Sequence, residues 1–347
     1  MQSQTKINKE KGLALLMVLW VITLLAVIVG EFCYAMKTEI NITRNFKEST
    51  QGYYIALAGV NRAVAELIKE RSTTSTGMQK PQSPMEDYAG DDDNTDAVDE
   101  DLIEWRVGAN IPPILFGEGE YKVKISNESG KININKATRG MLLMLLNRFD
   151  LDDSEKDTIA DSIIDWRDKD NLHRINGAED DYYQSLDDPY ECKDEDFDAI
   201  EELLLVKGIT ADIFYGGLES MVTIYTQTDK ININAASRQM LLALPEMTEI
   251  AAREIITSRG EEEIKRLSAL NDIIDPDIYL SIKPYISLKM SPFYSIDSFG
   301  GINGSKVKEG LRVLIKIDSK EKKGFRITRW IDFIIDSEID IIRNWES

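Results

Sequence analysis

Lys11-Gly-Leu-Ala-Leu-Leu-Met-Val-Leu-Trp-Val-Ile-Thr-Leu-Leu-Ala-Val-Ile-Val-Gly-Glu31 is the segment on which the reading of the chain turns. A short basic leader, Met1 to Gly12, carries Lys6, Lys9 and Lys11 and runs directly into the uncharged residues Leu13 to Val29. This junction reads as a leader peptide cut between Gly12 and Leu13. An export signal that is removed whole has a short apolar core followed by small residues at the cut. Here the apolar run is already long, and Cys33-Tyr34-Ala35 is a poor imitation of such a site.

The junction resembles that of prepilins, in which the apolar segment is kept as a membrane anchor and later packs in the core of a filament. A spanning helix needs about 17–25 apolar residues, which Leu13 to Val29 satisfies. The lysines before it place the leader in the cytoplasm and the rest outside. Pilin-like proteins carry Glu as the fifth residue after the cut; here that residue is Met17. A carboxylate inside a bilayer is costly unless paired, and in pilins it meets the N-terminal amine of a neighbour. A subunit without it belongs at the end of a filament, where one neighbour is missing.

The formal charge of −20 over 347 residues argues against nucleic acid, whose phosphates need Lys and Arg. It suits an extracytoplasmic protein or one that binds cations. Cys33 and Cys192 are too far apart in kind and place to suggest a framework, and both are expected as free thiols.

A long helix is predicted from Leu13 to about Arg71, because proline is absent before Pro81 and Ile55, Leu57, Val60, Val64, Leu67 and Ile68 recur at helical spacing. Ser72 to Gly77 ends it. Residues 86–101 are dense in Asp and Glu and read as an acidic loop. Strands are predicted at Ile103 to Val107, Tyr121 to Ile125, Phe293 to Ile296, Leu311 to Ile317 and Phe325 to Ile331. The glycine-rich run Phe299 to Lys306 lacks phosphate-loop spacing and reads as a tight loop between strands.

Inside this frame lies an internal repeat. Lys131-Ile-Asn-Ile-Asn135 with Met141-Leu-Leu143 returns as Lys230-Ile-Asn-Ile-Asn234 with Met240-Leu-Leu242. Each copy reads as an extended segment, a cap and an amphipathic helix. The fold class is therefore α+β: a pilin-like long N-terminal helix on an antiparallel sheet, with a large all-α domain of helix-hairpin-helix or SAM-like repeats inserted. The divisions are a leader at 1–12, the helix at 13–80, the sheet domain at 81–130 and 286–347, and the insert at 131–285.

Leu205 to Thr210 and Leu244 to Thr248 resemble helix-hairpin-helix turns, many of which bind DNA backbone through helix N-termini. The second has no glycine and adds Glu246, so packing hairpins are the better reading. The densest chemistry is Asp165-Trp-Arg-Asp168-Lys-Asp170, followed by Gly177-Ala-Glu-Asp-Asp-Tyr-Tyr183. Oxygen ligands at this density suit Ca²⁺, although the spacing is not that of an EF-hand. His173 is the only histidine, and no catalytic set or zinc site assembles around it.

With leader, Met17, repeats and these acidic segments together, the chain resembles the K-type minor pseudopilins of the type II secretion pathway. That resemblance implies a non-enzymatic, single-pass protein of the bacterial inner membrane. Its bulk lies in the periplasm, where it forms the tip of the pseudopilus with I-, J- and H-type subunits. It also implies processing by prepilin peptidase with methylation of the new N-terminus, and contact with secreted cargo or the outer-membrane secretin. A calcium site in the helical domain is implied, assigned here to Asp165, Asp168, Asp170, Glu179 and Asp180. Two alternatives stay open: a minor pilin of another type IV filament, or a membrane-anchored helix-hairpin-helix DNA-binding or uptake protein.

Overall fold

The computed structural model describes residues 4–76 and 103–335, with side chains for 13–70 and 103–332. The predicted acidic loop at 86–101 lies outside the described residues. Helix α1 (Gln4–Thr76) is one unbroken element, longer than predicted at both ends, because Gln4 to Gly12 precede Leu13 in it and Ser72 to Thr76 continue it. From Leu13 to Val29 its side chains are exposed and apolar, long enough to cross a membrane. Its far half is one-sided: Ile55, Ala56, Val60, Ala63, Val64 and Leu67 are buried, at the helical spacing read from the sequence.

After α1, β1 (Ile114–Phe116) turns through Gly117 and Glu118 into β2 (Gly119–Asn127). The insert then begins. Its first half comprises β3 (Ile132–Asn133), α2 (Arg139–Leu146), α3 (Asp153–Arg167), α4 (Asp180–Tyr183), a 3-10 helix Ile200–Leu205, the short helices α5 (Ala211–Ile213) and α6 (Glu219–Met221), and β4 (Val222–Thr223). The second half repeats the plan with β5 (Ile231–Asn232), α7 (Arg238–Ala243), α8 (Glu249–Glu261), a 3-10 helix Leu267–Asp272, α9 (Pro276–Ile282) and β6 (Ile286–Ser287). The chain returns to the sheet as β7 (Phe293–Ile302), β8 (Lys308–Ile317) and β9 (Phe325–Ile335). The large sheet is antiparallel in the order β1-β2-β7-β8-β9.

Four expectations need correction. Ile103 to Val107 form no strand; Trp105 is buried against the α1 core beside Arg62, so the alternation reflects irregular chain laid on a core. Phe299 to Ile302 belong to β7, and only the residues after them turn. The insert occupies residues 128–292 rather than 131–285, because β2 and β7 stay paired as far as Asn127 opposite Tyr294. It is also not purely helical: β3 runs parallel to β4, and β5 to β6. A parallel pair needs a crossover, and in each half the helices supply it.

The two halves share their local chemistry. In the first, Asn133 Oδ1 accepts the Asn135 N–H at 2.7 Å, Thr138 caps α2, and Asn135 bonds both the N–H and the C=O of Phe197, at 2.8 and 3.0 Å. In the second, Asn232 Oδ1 accepts the Asn234 N–H at 3.0 Å, Ser237 caps α7, and Asn234 bonds the N–H and C=O of Ile264, at 3.1 and 2.9 Å. Arg167 donates to the carbonyls of Ile134 and Ala137, and Arg259 to that of Ile233. The neck of the insert uses the same device: Asn127 bonds Ser291 O and N at 2.8 and 3.0 Å.

Helix and sheet meet at backbone distance. A Cβ on Gly300 of β7 would collide with the Ala56 nitrogen and the Gly52 carbonyl, and the Ser298 hydroxyl donates to Ala56 O at 2.7 Å. Gly300→Ala is expected to destabilise the full-length chain in detergent by about 2–3 kcal/mol, the usual cost of overpacking. Gly216→Ala, which adds a methyl to open space, should stay within ~0.5 kcal/mol. Urea unfolding of the two variants side by side checks the difference.

Candidate cation centre in the inserted domain

Comparing the halves locates the site. In the second half, Arg259 and the clamped Ile264 lie close in sequence; in the first, Arg167 and the clamped Phe197 are separated by residues 168–196. This added segment carries eleven Asp and Glu against three Lys and Arg. It starts at the C-terminus of α3, where Asp168 follows the last turn.

Asp165 is fully buried. Its Oδ2 accepts the backbone N–H groups of Arg174 and Ala178, at 3.0 and 3.1 Å, and its Oδ1 accepts Arg174 Nη1 at 2.6 Å. The same guanidinium nitrogen reaches Asp168 Oδ2 at 2.7 Å. Gly177 must be glycine because a Cβ there would strike Asp165 Oδ2. Burial pushes the Asp165 carboxyl upward, and the bonds from Arg174 pull the other way. Asp165 is thus the hub that folds the loop 169–178.

Beyond that hub, buried carboxylate oxygens of Glu179, Asp168 and Asp194 lack conventional hydrogen-bond partners among the described residues. Glu179, 1% exposed, precedes α4 without capping it, and neither of its oxygens has a hydrogen bond apart from the weak thiol of Cys192 that faces it. Asp168 Oδ1 and Asp194 Oδ1 are buried and unsatisfied as well. One ligand atom from each of Glu179, Cys192 and Asp194 falls within 4.8 Å of the others. Asp194, held in the left-handed region at φ 55°, is anchored by its N–H to Trp166 O at 3.1 Å. Burial raises the Glu179 carboxyl to about 7, and the charges of Asp165, Asp194 and Asp168 add to the rise. Burial and Glu179 together hold the Cys192 thiol protonated.

Unpaired buried carboxylates are costly, and a hard cation is the group that satisfies several at once. The donor set fits one: carboxylate oxygens from Glu179 and Asp194, with Asp168 adjacent. A neutral thiol adds little to a hard ion.

The five residues assigned from sequence divide. Glu179 belongs to the cluster, while Asp168 gives Oδ2 to Arg174, keeps Oδ1 buried, and adds its charge to those acting on Glu179. Asp165 is saturated by protein donors and positions the loop. Asp180 is a staple, accepting Cys192 N at 2.8 Å and Asn171 Nδ2 at 3.2 Å. Asp170 is exposed and accepts only the Leu172 N–H, at 3.1 Å. Cys192 and Asp194 were not assigned; the spacing Cys-x-Asp after an acidic turn is their sole sequence signal. Cys33 and Cys192 are both free, the first exposed and the second buried.

The family model for protein K of the type II secretion system matches residues 123–227, from β2 through the first half of the insert. That span includes the whole added segment. Type II secretion system protein K of Pseudomonas aeruginosa is 26% identical over 263 residues, covering 73% of each chain. The protein K of Aeromonas hydrophila is 22% identical over 273 residues, covering 76% of this chain and 80% of its own. The chain is thus similar, over about three quarters of its length, to proteins K of type II secretion systems. A putative protein K of Escherichia coli K12 is 24% identical over 260 residues, covering 74% of this chain and 76% of its own. A solved GspK-GspI-GspJ complex from enterotoxigenic Escherichia coli aligns at 18% identity and a TM-score of 0.44, over 64% of this chain and 82% of that one.

The cation-free chain has a signed pH dependence. Glu179 has an ordinary carboxyl pKa when unfolded and one of about 7 when folded. Its contribution to stability is therefore intact below about 4.5 and is lost as pH rises through about 7. The melting temperature of full-length chain in chelator, compared with that of Glu179→Gln, should fall progressively behind between pH 4.5 and 7. A difference independent of pH would refute the assignment.

Proposed function

We propose that this chain occupies the tip of the periplasmic pseudopilus, held in the inner membrane by Leu13 to Val29 and assembled with I-, J- and H-type minor pseudopilins. Prepilin peptidase cuts between Gly12 and Leu13, and the new N-terminus is methylated. The observation that carries this reading is the apolar stretch of α1. Met17 lies exposed on it where filament subunits carry a carboxylate, so the chain has nothing to offer the amine of a neighbour above it. The insert at 128–292 supports the same end position, since a body of that size emerging between β2 and β7 obstructs further stacking. Neighbouring helices in the membrane pack through van der Waals contact along such a stretch.

In this role the chain is structural and non-enzymatic: it starts pseudopilus assembly and meets cargo or the outer-membrane secretin. The two hairpins around Gly208 and Glu246 act as helix-hairpin-helix-like packing units. Gly208 lies against Ile159, and Thr248 caps α8. Calcium occupies the centre formed by Asp168, Glu179 and Asp194, neutralising carboxylates that the fold leaves unpaired.

Two measurements test this reading. Mass spectrometry of the chain coexpressed with prepilin peptidase should show a methylated start at Leu13, and an intact Met1 would remove the filament argument. Millimolar calcium should raise the melting temperature of the wild-type chain at pH 7.5 by several degrees, since a ligand bound only by the folded state stabilises it. Glu179→Gln should abolish most of that rise, and an equal rise in both proteins would place the ion elsewhere.

A further inference from the structure

The loop between Asp168 and Gly177 does something the fold does not need. The second half of the insert closes the equivalent gap between Arg259 and Ile264 with almost no chain. In the first half the loop is elaborate and stiff. The Arg174 side chain bonds Asp165 and Asp168, its N–H bonds Asp165, and its carbonyl receives the Gly177 N–H at 3.0 Å. Asn176 reaches Asp161 at 3.2 Å, and Asn171 reaches Asp180. This scaffolding presents two large apolar side chains to solvent: Leu172 is 77% exposed and Ile175 is 97% exposed.

A single exposed aliphatic residue needs no explanation. Two of them on one rigid added loop, supported by buried charged hydrogen bonds, are different. Ordering such residues costs entropy and burying them against nothing returns none of it. The surroundings state the chemistry of what covers them. Asp170 and Asp181 are exposed on either side of the loop, and Asp180 lies between them and the Asn171 amide. Lys169 is exposed beside them, Arg174 is committed to Asp165 and Asp168, and Lys207 to the Gly177 carbonyl at 3.1 Å, so the eleven acids of the added segment still outweigh its bases.

We propose that Leu172 and Ile175 form a preorganised apolar finger that docks into an apolar pocket rimmed by Lys and Arg on a folded protein partner. A rigid, prepositioned contact loses little entropy on binding, and complementary rim charges steer the encounter. The pocket's owner lies outside the minor-pseudopilin complex, which deepens the tip reading and rests on it.

The test uses cells with a working secretion system and two readouts: secreted protein in the medium, and I- and J-type subunits copurifying with the full chain. The double variant Leu172→Asp, Ile175→Asp should lower secretion at least tenfold while copurification and melting temperature stay at wild-type levels. The charge-reversed Asp170→Lys, Asp181→Lys chain should also lose secretion. The conservative Leu172→Met, Ile175→Leu chain should keep it, as should Ile250→Asp, which alters another exposed aliphatic residue, 60% exposed on α8. Wild-type secretion by the double variant overturns the finger, as does loss of secretion in Ile250→Asp. Joint loss of secretion and copurification makes the loop an assembly contact and overturns it too. A photo-crosslinker at Leu172 that yields only lipid adducts also overturns it. Failure of the wild-type chain to copurify with those subunits would instead count against the tip reading.

Discussion

Three asparagines hold this molecule in register. A side-chain amide offers one donor face and one acceptor face, which matches the N–H and C=O of a single backbone residue. Asn127, Asn135 and Asn234 each use both faces on one distant partner: Ser291, Phe197 and Ile264. Asn127 and Asn234 are buried, where leaving the two backbone groups unpaired would cost about 1–3 kcal/mol each. Each clamp therefore fixes where a long excursion of chain ends. Without the first, the insert would have no defined neck. Without the other two, neither half would close.

Clamping the base of an excursion changes what the excursion can contain. Loop-closure entropy rises only slowly with length, by about 0.6 kcal/mol for each doubling, so a clamped base tolerates a long addition. The first half exploits this between Arg167 and Phe197 and the second does not. The arginines of the two halves show the consequence. Arg259 sits in a purely structural pocket and burial lowers its pKa to about 10. Burial lowers that of Arg167 too, but there the charges of Asp196 and Asp168 oppose it. The acidic addition thus surrounds a framework arginine, while Asp165 takes the donors of Arg174 and Ala178. Glu179 and Asp194 were left close together with Asp168 near them, which is why the candidate cation centre lies in this half and not in the sister half.

Much of this was legible, and the exceptions share a cause. The long helix could be read because its apolar spacing is set by local geometry, and the two repeat starts because caps such as Thr138 and Ser237 are local signals. The Lys-Ile-Asn-Ile-Asn copies announced a duplicated unit, although not that their second asparagines are clamps. What escaped depends on partners far away in sequence. Gly300 looked like part of a loop because its need for no side chain comes from Ala56 of the helix. Ile103 to Val107 looked like a strand because a chain laid on a hydrophobic core alternates as an edge strand does. Cys192 and Asp194 look ordinary until α4 and Trp166 bring them to Glu179. Asp165, the residue most easily taken for a ligand, proves to be the one whose hydrogen bonds are already filled.

The attachment of the insert determines how it is coupled to the long helix. Both of its ends leave from β2 and β7, adjacent strands near the middle of the sheet, and at the same level, Asn127 opposite Tyr294. β7 also lies against α1 through Ser298 and Gly300, with Ser49 bonding Glu309 of β8 and Ser305 bonding Glu48, the residue before Ser49. The helix runs unbroken from the apolar stretch at Leu13 to that contact. Force applied to the insert therefore passes through Asn127 and Ser291 into paired strands and reaches the helix through close backbone packing. Flexible chain is absent from that path among the described residues. This continuity makes the orientation of the insert a property of the helix, and the hydrogen bonds of Asp165 carry it into the loop 169–178.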